Sequence, residues 1–168
     1  MMLTSVHGAY KGVHGFTLIE MMLVILVFGI SLAMVIPNLS KNHDQVLLEE
    51  GNRLAALLNY ANDISTSTGH AIAWDKTAAG YRFLVRDQDL KVWKPLLDDA
   101  SLRERVLPET VKIEYVEEQG KQADHYAKVI MNPSGVEAPF VIGLHNESKH
   151  IKVTGNLIGQ VTMIKAEH

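Results

Sequence analysis

Gly15-Phe16-Thr17-Leu18-Ile19-Glu20 opens the stretch that decides the fold, GFTLIEMMLVILVFGISLAMVIP, residues 15–37. From Met21 to Ile36 it contains no charged residue and no proline. With Phe16 to Ile19 in front, the apolar stretch reaches about 21 residues. At 1.5 Å per residue that is roughly 31 Å, which matches a hydrocarbon core of about 30 Å. One helix over 16–37 can therefore cross a bilayer. Before it stand Lys11, two histidines and no acid; after it come Lys41, Asp44, Glu49 and Glu50. The positive-inside rule leaves residues 1–15 on the cytoplasmic side and the rest of the chain across the membrane.

Three readings compete for this segment. A secretory signal needs a cleavage site with small residues after its apolar run, and the run here ends in VIPNLS. A plain signal anchor explains length and orientation but not the acid at the entrance of the span. A charged side chain costs roughly 2.5 to 3.5 kcal/mol at a span's centre and less near the interface. In the third reading the chain is cut between Gly15 and Phe16, which creates an α-amino group four residues before Glu20. A neighbouring helix staggered along its axis then brings its own amine to Glu20 and pairs the buried acid. The bland alternative is a glutamate that snorkels to the headgroups. Pro37 either kinks the helix, through its missing N–H and ring clash, or ends it.

The string Gly15 to Glu20, followed by the apolar run and Pro37, resembles the class III signal of type IV pilins and type II secretion pseudopilins. The resemblance implies that a membrane-embedded prepilin peptidase cuts after Gly15 and methylates the new N-terminal Phe16. It further implies that Glu20 governs subunit assembly and that Pro37 is the kink proline near the periplasmic end of the span.

Beyond Pro37, Leu47, Gly51, Leu54, Leu58, Ala61 and Ser65 recur at alternating spacings of four and three, a single helical stripe. Arg53, Asn59, Asn62 and Asp63 fall largely off it, and Gly69 is the expected stop. A second helical segment is therefore predicted over 41–68. If it continued from the span, the whole helix would be roughly 78 Å long. The stripe calls for a sheet of the same chain to pack against.

After Gly69 the pattern changes to short strand-like runs: HAIAWD, YRFLVRD, VKIEYVEE, AKVIM, PFVIGLH, HIKVTG and LIGQVTMIKA. Val111, Ile113 and Tyr115, like Val161 and Met163, alternate with polar neighbours and are expected on a buried face. Turn signals stand at Ala79-Gly80, Asn132-Pro133-Ser134-Gly135 and Gly155-Asn156, and no helical pattern between them serves a parallel crossover. The expected class is α+β: a long N-terminal helix, half transmembrane and half amphipathic, packed on a C-terminal antiparallel β-sheet domain. Its parts are a removed leader (1–15), a transmembrane helix (16–37), an amphipathic helix (38–68) and a β-rich domain (69–168). RLAALLNYANDIS, GYRFLV, the Trp93 to Pro95 segment and NPSGVEAPFVIGL resemble the minor pseudopilin H family of type II secretion and its FimT-type pilin relatives.

The 168-residue chain has no cysteine, which removes disulfides, thiolate metal sites and cysteine nucleophiles. Only Lys11 and Glu20 carry charge before Lys41, leaving 15 Lys or Arg against 18 Asp or Glu afterwards. That balance lacks the basic surface on which nucleic-acid affinity depends. His43, His70, His125, His145, His150 and His168 match no compact ligand spacing, so no metal site is expected. Glu117, Glu118 and Asp124 around Gly120 lack the alternating oxygen ligands of a calcium loop. Ser134 sits in no nucleophile elbow. Trp74 and Trp93 are expected as core or interface anchors. No cofactor and no catalytic constellation is expected.

The resemblance implies a non-enzymatic subunit of the bacterial inner membrane with its C-terminal domain in the periplasm. Its implied partners are prepilin peptidase, the major and other minor pseudopilins, and secreted substrates or the outer-membrane secretin. The alternative is a FimT-type minor pilin that primes a type IV pilus or takes up DNA.

Overall fold

The computed structural model describes residues 16–39, 43–97, 99–122 and 128–165. Gly15 and the rest of the leader, Lys41, Asp124, His125 and His168 lie outside the described residues. The chain divides into two compact units, 1–41 and 42–168.

The first unit holds helix α1, Leu18–Leu39. It runs past Pro37 to Leu39, so the proline is not a stop. The second unit opens with α2, His43–Thr68, which ends where Gly69 takes φ +74° and donates its N–H to the Ser65 carbonyl. Every residue of the expected stripe, from Leu47 through Gly51, Leu54, Leu58 and Ala61 to Ser65, is buried.

Ten strands follow. One sheet contains β1 (Ile72–Lys76), β2 (Gly80–Arg86), β3 (Trp93–Pro95), β4 (Arg105–Val106) and β7 (Lys128–Met131). Its order is β3-β2-β1-β7, with β4 also pairing β2. The other contains β5 (Lys112–Glu118), β6 (Lys121–Gln122), β8 (Phe140–His145), β9 (His150–Gly155) and β10 (Val161–Lys165), in the order β10-β9-β8-β5-β6. All pairings among the described strands are antiparallel. A core cluster joins the α2 stripe to both sheets, with Trp74, Tyr81 and Phe83 its largest side chains. Their rings stand 6.0 to 6.1 Å apart, and Tyr81 meets Phe83 edge-on. Burial pushes the Tyr81 phenol up to about 12.

Two expectations need correction. Tyr115 leaves the buried face because a bulge between Ile113 and Tyr115 shifts the register, and Val116 takes the inward place. Tyr115 instead covers Gly143 on the other face of β8, where a Cβ would lie 2.4 Å from its ring. The run from Leu157 becomes a strand only at Val161. Asn156 Oδ1 accepts the N–H groups of Ile158 and Gln160, and Gly159 sits at φ +75°, so 156–160 is a turn.

Candidate functional site

Thr17 starts α1 for a chemical reason. Its hydroxyl oxygen accepts the Glu20 N–H at 3.3 Å, and its carbonyl accepts from Glu20 and Met21 at 3.1 and 3.3 Å. Thr17 is thus an N-cap and Glu20 the third helical residue, the T-x-x-E spacing of a capping box. That fixes Glu20 in the first turn, where the helix dipole favours an anion. Phe16 stands just before the cap and is 73% exposed.

Leu18, Leu23 and Val24, on different sides of α1, are all exposed. A helix apolar all round calls for lipid or other helices as its surroundings. Among the described residues no helix is long and apolar enough to cross a membrane. The helical backbone itself covers 22 residues to Leu39, about 33 Å at 1.5 Å per residue.

In the second unit the charged residues gather in pairs. Glu50, only 5% exposed, receives both forks of Arg105: Nε to Oε2 at 2.9 Å and Nη2 to Oε1 at 2.6 Å. Arg53 Nη1 adds a third contact at 3.0 Å. β4 can approach this closely because Gly80, opposite Val106, has no side chain; a Cβ there would lie 2.0 Å from the Arg105 carbonyl oxygen. Asp75 holds Arg82 at 2.8 Å on the β1–β2 pair.

At the start of α2, Asp44 accepts from Lys149 Nζ at 2.8 Å, Ser148 Oγ at 2.7 Å and Asn146 Nδ2 at 3.1 Å. Lys149, then Ser148 and Asn146, holds the carboxyl down from 3.8 to about 2. A depressed carboxylate stabilises the fold above the unfolded pKa and loses that contribution as pH falls through the folded one. Acid unfolding of Asp44→Asn is therefore expected to be flatter than that of the parent between pH 3.8 and about 2, as read by circular dichroism.

Sequence reasoning missed two of these roles. Glu50 lies three residues after Leu47 and four before Leu54, so it falls in phase with the buried stripe; an acid in that phase asks for a cation from elsewhere in the fold. Asn59, read as off the stripe, seals the free edge of β10: its amide accepts from Val161 N at 2.9 Å and donates to Val161 O at 2.8 Å. The spacing of the histidines gave no hint that His145 and His150 stack across the β8–β9 hairpin, 5.5 Å between centroids, with His150 Nδ1 3.1 Å from Glu114. Among the described residues no cluster of three His, Asp or Glu is arranged to hold a metal ion. Trp74 is wholly buried, whereas Trp93 is half-buried with the Arg86 guanidinium 6.0 Å from its ring centre.

Residues 10–36 match the prokaryotic N-terminal methylation motif. Among solved structures, the fold resembles two of the minor pseudopilin EpsH from the type II secretion system of Vibrio cholerae. One matches with TM-score 0.59 at 15% identity over 71% of this chain and 96% of that one. The other matches with TM-score 0.62 at 15% identity over 74% and 96%. No curated protein matches the chain. The chain therefore carries a prepilin-type motif ahead of a domain with the pseudopilin fold.

Proposed function

We propose that the chain is a minor pseudopilin-like subunit of a type II secretion pseudopilus, a structural protein and not an enzyme. Residues 1–15 form the leader, prepilin peptidase cuts between Gly15 and Phe16, and Phe16 is N-methylated. The helix over 16–37 anchors the protein in the inner membrane, bent at Pro37, with 38–68 and 69–168 in the periplasm. Glu20 meets the Phe16 amine of a neighbouring subunit, which sets the axial stagger between helices. The domain then stands at or near the fibre tip among other minor pseudopilins and the major one, and helps folded periplasmic proteins through the outer membrane.

The single observation that carries this reading is the pairing, in one chain, of a methylation motif over 10–36 with a pseudopilin fold behind it. A FimT-type pilin for DNA uptake shares both features, but the acidic balance after Lys41 disfavours phosphate binding. A clean deletion in the native host tests the assignment. Folded exoproteins are expected to accumulate in the periplasm while DNA uptake stays at the parental level. Normal secretion with lost transformation would give the role to a pilus instead.

A further inference from the structure

The segment from Asp99 to Val106 is fastened to α2 at three points. Asp99 accepts the Tyr60 hydroxyl at 2.8 Å and caps a 3₁₀ turn, Ala100–Leu102, by accepting the Ser101 N–H at 2.7 Å. Leu102 is wholly buried. Arg105 closes the far end through its fork on Glu50. Between these anchors Arg103 is held outward, and among the described residues it has no hydrogen-bond or ion-pair partner.

The result is a cleft of about 510 Å³ between this segment and α2, lined by Arg53, Leu57, Ser101, Arg103, Arg105 and Val106. Glu104 also borders it. Arg53 and Arg105 both bond Glu50, whereas Arg103 is the guanidinium of the cleft that has no ion-pair partner among the described residues. Leu57 and Ala100 give an apolar wall, and Val106 stands 68% exposed on the rim.

We infer that this cleft receives one carboxylate side chain, flanked by an apolar residue, from a neighbouring subunit of the fibre. The identity of the occupant as a neighbouring subunit rests on the function proposed above. Charge and geometry choose the chemistry. A single carboxylate gives Arg103 the partner it lacks and fits a guanidinium fork in the plane. A phosphate dianion would overshoot the single charge of Arg103 beside Glu104 and Asp99. An exposed valine next to the arginines offers a second carbon chain a place to pack, as at a protein interface and not at a free-anion site. Because the segment is pinned before the partner arrives, little ordering is needed on docking.

Incorporation of p-benzoylphenylalanine at Val106 in the full-length chain, expressed in the native host, tests the inference. Photolysis is expected to link it to a peptide of another subunit bearing a prepilin-type motif, with an Asp or Glu beside the linked residue. Arg103→Glu should cut the yield about tenfold and Arg103→Gln by less, since one repels the acid and the other only releases it. Reversing the partner's acid to Arg in the Arg103→Glu background should restore it. Thermal unfolding of both variants should match the parent, because Arg103 is exposed. Cross-links only to lipid, a yield indifferent to Arg103→Glu, or no restoration would overturn the docking site. If the mature chain in those cells begins at Phe16, such a result leaves the subunit reading standing; if it begins at Met1, both fall together.

Discussion

Cells whose only copy carries Glu20→Ala are expected to make, insert and cleave the protein normally, yet to export folded substrates at least about tenfold less. The alanine removes an insertion cost of up to roughly 2.5 to 3.5 kcal/mol, so a protein whose glutamate merely snorkels would be unharmed or improved. If the acid pairs with a neighbour's Phe16 amine, its loss leaves that ammonium without a partner inside the membrane. Breaking a buried ion pair from one side costs about 3 to 5 kcal/mol, and 1.4 kcal/mol is already tenfold in association. Glu20→Gln should behave like Ala in direction, since it keeps the shape and drops the charge. Thr17 still caps the helix in both variants, because its partner is the backbone N–H of residue 20 and not the side chain. Export assays alongside membrane fractionation separate failed assembly from failed insertion.

Glu50→Ala is expected to lower the stability of the full-length protein by about 3 kcal/mol, or roughly 10 °C in Tm for a domain of this size. Arg105 loses both of its fork contacts and Arg53 its ion pair, while the guanidinium of Arg105 remains half-buried. Removing both charges with Glu50→Leu and Arg105→Leu should cost less than the sum of the single changes, because no unpaired charge is then left in the core. Differential scanning calorimetry in detergent reads both effects. A loss below about 0.5 kcal/mol for Glu50→Ala would mean that the pair is solvated and fastens nothing.

Why some of this was legible in the sequence, and some was not, follows from the range of each interaction. The α2 stripe and its Gly69 stop depend on residues within two turns of one another, so 3.6-residue periodicity and a positive-φ cap reveal them directly. Strand runs such as HIKVTG announce themselves by alternation. The bulge that turns Tyr115 away from the core does not, because it is set by the register with β8, some thirty residues later. The same holds for Asn59 on Val161 and for Arg105 on Glu50, separated by 102 and 55 positions. β3, β4 and β6 are two- or three-residue strands, too short for any period to show. At the N-terminus the reverse applies. In the proposed function Gly15, Phe16 and Glu20 act through a peptidase, a bilayer and a neighbouring helix, and their spacing is the part of that chemistry that one chain carries. What the structure adds is Thr17 as the cap that holds Glu20 in the first turn, four residues after Phe16.

Intact mass and N-terminal sequencing of the mature protein, purified from membranes of its native host, test the central claim most directly. The account predicts a chain that lacks residues 1–15, begins at Phe16 and carries one methyl group on its α-amine. A mature protein that still begins at Met1 would contradict it.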